Sequence, residues 1–270
     1  MVVVITGASA GIGRELAVQL SAAGARLVLS ARRLQRLEEL NAALGGTHLC
    51  VRADVAVTND CNMLIERAAT RFGRIDTLVC NAGYGLYRTV GQTSPADMRA
   101  IFATNVFGTS DCIHGTLPLM LKQDLRDGYR GQVMLISSAA ARRSPPYMGA
   151  YSATKAAQLS LAEAMRVELR PHKIAVTSVH PMVTRTEFGS VAETLGDVSL
   201  PKVGPVQAVE PVVRRMVRAI ERPARELWPS RPSRFLLSLA TIAPGLSDRI
   251  LTRFREKIEQ QGQSPTGSGT

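Results

Sequence analysis

Short apolar runs alternate with amphipathic helical segments along most of this chain, and that alternation constrains the fold more than any other feature. Apolar runs at residues 2–5, 26–30, 48–52, 76–80, 132–137 and 174–179 read as strands, and 226–228 as a short seventh. Between them, helical patterns cover 14–21, 35–44, 59–72, 95–121, 152–170 and 206–220, many closed by glycine or proline. The runs are nearly continuous in Val, Ile and Leu, as expected of strands buried on both faces of a parallel sheet. Strand–helix–strand spacing of this kind builds right-handed crossovers. The expected fold class is α/β: a doubly wound, three-layer α/β/α sheet of about seven strands.

The turn after the first strand reads Thr6-Gly7-Ala8-Ser9-Ala10-Gly11-Ile12-Gly13. Glycines there let backbone approach a pyrophosphate, and the helix that follows aims its N–H groups at the anion. The spacing is T-G-x-x-x-G-x-G, one step removed from the commoner dinucleotide fingerprint. At the end of the second strand, where an acid would bind ribose hydroxyls, the chain has Ser30-Ala31-Arg32-Arg33. Two guanidiniums suit a 2′-phosphate, so NADP(H) is the expected cofactor. Tyr151 and Lys155 stand four residues apart, on one helix face. An ammonium beside a phenol favours the phenolate, a pairing fit for proton transfer near neutral pH. Ser138 stands upstream, at the end of an apolar run.

Taken together, Thr6 to Gly13, Asp54-Val55, Asn81-Ala82-Gly83, Asn105, Ser138 and Tyr151 with Lys155 resemble the short-chain dehydrogenase/reductase superfamily in its NADP-preferring form. The motifs fall in that family's order over residues 1 to about 190. The resemblance implies that Asn105, Ser138, Tyr151 and Lys155 are catalytic. Ser138 would hydrogen-bond the substrate carbonyl, Tyr151 would be the acid/base, and Lys155 would bind the nicotinamide ribose and lower the phenol's pKa. Asn105 would bend the long helix and hold a water of a proton relay. Cofactor contacts are implied for Gly7, Ser9, Ala10, Gly11, Ile12, Gly13, Arg32, Arg33, Asp54, Val55, Asn81, Ala82, Gly83, Tyr151, Lys155, Pro181, Val183 and Thr186. Pro181-Met182 replaces the family's usual Pro-Gly, which narrows the expected pocket floor.

The expected substrate wall comprises Ser138, Tyr84, Arg143, Tyr147, Met182 and Phe188, with Leu86, Met148 and Val191. It is mostly apolar and fits a hydrophobic ketone or aldehyde. Reduction by NADPH is the leading expectation. The alternatives are an alcohol or hydroxysteroid dehydrogenase working oxidatively, and a non-catalytic NADP(H) sensor. The intact tetrad of Asn105, Ser138, Tyr151 and Lys155 weighs against the sensor.

Residues 1–222 are expected to form one catalytic domain, with a mobile substrate loop at 182–206. A basic extension follows at 223–270, and its Gly/Ser/Pro-rich end at 262–270 reads as disordered. A net charge of +11 suits anionic ligands or acidic lipid surfaces, while nucleic-acid-binding signatures are missing. Within the extension, residues 234–254 carry two apolar stretches around Pro244-Gly245 with arginine flanks, suited to a lipid interface, to capping the pocket or to packing on a second subunit. No run of about 18 apolar residues suggests a membrane span. With the first strand starting at Val2, no signal peptide is expected. Four scattered cysteines make neither a zinc site nor a disulfide pattern, so no metal is expected. The expected setting is cytoplasmic, with peripheral membrane contact through 234–254 as the alternative. The surfaces of helices 95–121 and 152–170 are, by the resemblance, those of a homodimer or homotetramer.

Overall fold

The computed structural model describes residues 1–195 and 206–262. Seven strands form one sheet, β1 (Val2–Thr6), β2 (Arg26–Ala31), β3 (Leu49–Arg52), β4 (Thr77–Cys80), β5 (Gly131–Ile136), β6 (Ile174–Val179) and β7 (Glu226–Leu227). All the pairings are parallel, in the order β3-β2-β1-β4-β5-β6-β7. The order reverses between β1 and β4, which opens a crevice at their carboxyl ends, where doubly wound sheets bind ligands.

The pleat explains why the strands read as unbroken apolar runs. Val3, Ile5, Leu27, Leu29, Met134 and Val179 face one layer, with α1 (Gly11–Ala22), α2 (Leu34–Ala43) and α8 (Val209–Glu221). Val4, Val28, Leu78, Val133, Leu135 and Val176 face the other, with α3 (Thr58–Phe72), α5 (Gly108–Lys122) and α6 (Gly149–Glu168). Alternate side chains therefore serve opposite cores. Each such side chain, fully buried, contributes about 1.5–3 kcal/mol.

Three elements depart from the sequence reading. The helix expected over 95–121 is broken into α4 (Pro95–Phe102), a π-helical turn (Ala103–Phe107) and α5. The helix carrying Tyr151 begins at Gly149 rather than at residue 152. The segment 182–206, expected as a mobile loop, contains α7 (Phe188–Leu195) and a bridge between Thr184 and Gln207. The remainder of that segment, 196–205, and the expected disordered end, 263–270, lie outside the described residues. Gly262 closes a helix.

The extension forms α9 (Arg231–Ile242) and α10 (Pro244–Gly262). Buried Ser247 and Ile258 and half-buried Leu251 and Phe254 lie on one face of α10. Arg143 pairs with Asp248, and Tyr147 donates to Glu259 at 3.2 Å, so two side chains from the β5–α6 connection fasten this helix.

Candidate active site

The turn between β1 and α1 is a cradle that excludes side chains. Gly7 and Gly11 adopt φ of 67° and 55°, where a side chain is strained. A Cβ on Gly13 would lie 2.5 Å from both Asn81 Nδ2 and Gly7 O. Asn81 fills that space, donating to Thr6 O (2.9 Å) and Gly7 O (3.2 Å). Thr6 Oγ1 in turn accepts from the amides of Asn81 and Ala82, both at 3.0 Å. The Asn81-Ala82-Gly83 segment is thus bolted to the glycine turn. Ala10, at the N-cap of α1, makes no side-chain capping bond. Dipole and backbone donors there suit an anion.

At the end of β2 the two arginines diverge. Arg33 Nη2 donates to Ser9 Oγ at 3.2 Å, so it reaches back over the turn. Arg32 is mostly exposed and stands 3.9 Å from Asp54 Oδ2. Asp54 Oδ1 accepts from the Ala56 amide, and the Asp54 amide donates to Asp60. Thr186 lies over the same turn, 3.2 Å from where a Cβ on Gly11 would sit. Pro181 O accepts from the Ala139 amide at 3.1 Å, which ties the end of β6 to the Ser138 turn. Val183 O accepts from the Gln207 amide, its side chain about half exposed.

Tyr151 and Lys155 are both buried on α6, with Lys155 Nζ 5.7 Å from the centre of the Tyr151 ring. The Ser138 side chain acts on the phenol of Tyr151, favouring its ionised form. Ser138 caps a short 3₁₀ turn (Ala139–Ala141) by accepting from the Ala140 amide at 3.1 Å. Lys155 Nζ donates to Ile136 O (2.7 Å) and Gln158 Oε1 (2.9 Å). Gln158 Nε2 donates to Asn105 O (2.6 Å) and Thr109 Oγ1 (2.9 Å). Asn105 is fully buried in the π turn; its amide group donates to Tyr84 O and Thr154 Oγ1 and accepts from Tyr84 N, each at 3.0 Å. The wider turn frees the Asn105 carbonyl for Gln158 and Thr109.

Burial outweighs the ammonium in setting the protonation of this pair. Desolvation pushes the phenol of Tyr151 above its ordinary value; the Ser138 side chain pulls the other way. Desolvation also pushes Lys155 down to about 7. Lysine in the unfolded chain keeps its proton to about pH 10.4. Between pH 7 and 10 the unfolded chain therefore binds more protons at this site than the folded one, so stability rises with pH. The expected slope from this group is about 1 kcal/mol per pH unit. Denaturant titrations from pH 7 to 9.5 on the wild type and Lys155→Met check it. Equal slopes in both proteins would refute the shift.

Around Tyr151 an apolar cluster gathers Leu86, Ile101 and Ala150 with Tyr84, Met98, Met148 and Phe188. The Phe188 ring is 5.4 Å from that of Tyr151. Of the expected wall, Tyr84, Met148, Leu86 and Phe188 thus meet at the phenol. Met182 and Val191 are both partly exposed. Arg143 and Tyr147 instead engage α10. Buried His180 stacks on Trp228 at 4.4 Å, and desolvation lowers its pKa to about 4, so it is neutral.

Sequence reasoning missed Gln158, Thr154 and Thr109, which join Lys155, Asn105 and Tyr84 into one network. Gln158 stands three residues beyond Lys155 and seven beyond Tyr151, on the same helical face, which was the signal available.

A glycine cradle at the switch point of a doubly wound sheet, beside Ser138 and the buried Tyr151 and Lys155, defines a nucleotide-dependent oxidoreductase acting on CH–OH and C=O groups. The chain belongs to the short-chain dehydrogenase family, whose model matches residues 1–194. It is 31% identical over 281 residues to "Dehydrogenase/reductase SDR family member 7B" of Bos taurus, covering 97% of this chain and 84% of that one. It is 38% identical over 194 residues to "11-beta-hydroxysteroid dehydrogenase 1A" of Arabidopsis thaliana, covering 69% of this chain and 53% of the plant protein. Among solved structures it is similar to the 3-ketoacyl-(acyl-carrier-protein) reductase of Brucella melitensis complexed with NADH. That match has a TM-score of 0.76 and 26% identity, covering 84% of this chain and 95% of the other.

Proposed function

We propose that the protein reduces a hydrophobic ketone or aldehyde to an alcohol with NADPH. The observation that carries the cofactor preference is Arg33 on Ser9 at the end of β2, with no acid in the Ser30-Ala31-Arg32-Arg33 stretch to hold ribose hydroxyls. The cradle that a Cβ would fill fits a pyrophosphate lying against backbone. Bound NADPH supplies the hydride. Ser138 and Tyr151 place their hydroxyls at a carbonyl oxygen, where negative charge develops during reduction. Tyr151 holds the proton to be donated, kept on the phenol by burial. Lys155, Gln158 and Asn105 form the polar path behind it. The substrate side is apolar, lined by Tyr84, Leu86, Met148 and Phe188. The similarity to a protein named as a hydroxysteroid dehydrogenase is consistent with such a substrate.

A panel of apolar ketones and aldehydes, followed by NADPH consumption, tests this. Arg33→Ala is expected to raise KM for NADPH by about 10- to 100-fold, the worth of a charge-assisted pair. KM for NADH is expected to stay within about threefold, because it has no 2′-phosphate to lose. Equal effects on the two would overturn the NADP preference.

A lipid surface is the second part of the reading. No helix among the described residues is long and apolar enough to cross a membrane. Yet α9 and α10 expose Phe235, Leu236, Leu239, Ile242, Leu246 and Ile250, with Arg234, Arg249 and Arg253 also exposed. Apolar side chains with a basic border suit an anionic bilayer interface. Full-length protein is expected to co-sediment with phosphatidylserine-containing liposomes, and the double variant Phe235→Glu, Ile242→Glu to stay largely in the supernatant. Identical partitioning would remove this surface from consideration.

A further inference from the structure

The guanidinium that the cofactor reading assigns to a 2′-phosphate is already approached by a carboxylate of this chain. Glu187 lies in the turn between β6 and α7, more than a hundred and fifty residues from β2 in sequence. Both of its carboxylate oxygens accept from Arg36 Nη1 at 3.0 Å. Oε2 also lies 3.5 Å from Arg33 Nη1, while the other terminal nitrogen of Arg33 is on Ser9. The two guanidiniums hold the Glu187 carboxyl below the usual carboxylate range, first through the Arg36 hydrogen bond.

The neighbours of Glu187 show what this contact spans. Thr186 covers Gly11 of the glycine turn, and Phe188 packs its ring on Tyr151. Consecutive residues thus touch the pyrophosphate cradle, the 2′-phosphate guanidinium and the catalytic phenol. Arg32 stands apart, nearest to Asp54.

We propose that Glu187 is a specificity-determining residue that competes with the 2′-phosphate of the cofactor for Arg33. A phosphate carries close to two negative charges near neutral pH and three acceptor oxygens, so it displaces a single exposed carboxylate. A dinucleotide without that phosphate gains nothing by breaking the Glu187 contacts. Displacement from Arg33 leaves Glu187 held by Arg36, whose Nη1 reaches both carboxylate oxygens. The inference rests on the reading that Arg33 receives the 2′-phosphate.

Equilibrium titrations of the full chain with NADPH, NADH, 2′,5′-ADP and 5′-AMP test it, on the wild type and Glu187→Gln. Glu187 is half exposed and outside the core, so the variant keeps the fold. Glu187→Gln is expected to bind NADPH and 2′,5′-ADP about three- to fivefold more tightly, the worth of exposed ion pairs in competition. Affinity for NADH and 5′-AMP is expected to stay within about twofold, since neither contends for Arg33. Unchanged NADPH affinity in the variant overturns the competition. Weaker NADPH binding also overturns it, and makes Glu187 a residue that positions Arg33 for the phosphate. Failure of the underlying cofactor reading shows separately, in the wild type alone. There NADPH would bind no better than NADH, and 2′,5′-ADP no better than 5′-AMP.

Discussion

Tyr151→Phe is expected to lower turnover by about 10²–10⁴-fold while leaving NADPH affinity within about threefold. The reason lies in what the substitution keeps. Phenylalanine preserves the ring that packs on Phe188 and closes the apolar cluster with Leu86 and Ile101. It removes one oxygen, the phenol oxygen on which Ser138 acts. That oxygen is the one group at the centre of the cluster able to give a proton to a developing alkoxide. Burial favours this role in the reductive direction, because it holds the proton on the phenol until an oxyanion arrives to take it. Lys155, with its pKa pushed down to about 7, is poised to pass a proton on near neutral pH. Steady-state kinetics and a cofactor titration on the same preparation check both halves. Near-normal turnover in the variant would remove Tyr151 from the chemistry.

Gly108→Val is expected to cost about 3 kcal/mol or more of stability, enough to threaten folding of a domain of ordinary marginal stability. Gly108 opens α5 directly after the π turn. A Cβ there would lie 2.3 Å from Val55 O and 2.8 Å from the Val55 Cβ. Neither atom is the end of a flexible side chain, so the backbone itself must move. Helix propensity alone favours a residue other than glycine, by up to about 1 kcal/mol. The clash reverses that preference. Separation of α5 from the β3–α3 connection would also shift Asn105, three residues before Gly108, and with it the bonds to Gln158 and Tyr84. Chemical denaturation should show the loss as a lower midpoint; a midpoint within about 0.5 kcal/mol of wild type would show that the contact relaxes cheaply.

The architecture was legible because its determinants are local or periodic. Strands buried on both faces must be apolar at every position, so β1, β2 and β6 stood out as short continuous runs. The glycine turn needed positive φ at Gly7 and Gly11, and that demand is written directly in residue type. Tyr151 and Lys155 were legible because a four-residue step fixes one helical face. The short helix α7 was not. Its eight residues include Phe188 and Ala192, which pack against Gly85 from another part of the chain, and no local periodicity encodes that partner. The π turn was legible only as the bend at Asn105 that the resemblance implied; no local periodicity marks it, since Asn105 is held there by Tyr84, Thr154 and Gln158.

Residue type and spacing alone determined the layered sheet, the glycine turn and the shared helical face of Tyr151 and Lys155, because backbone geometry carries each of them over a few neighbouring positions. Only the folded molecule decided that burial rather than the ammonium governs the phenol, that Arg143 and Tyr147 fasten α10 instead of facing Tyr151, and that Glu187 reaches Arg33 and Arg36. Those outcomes depend on desolvation and on side chains brought together from distant stretches of chain. Such terms exist only once the layers have packed.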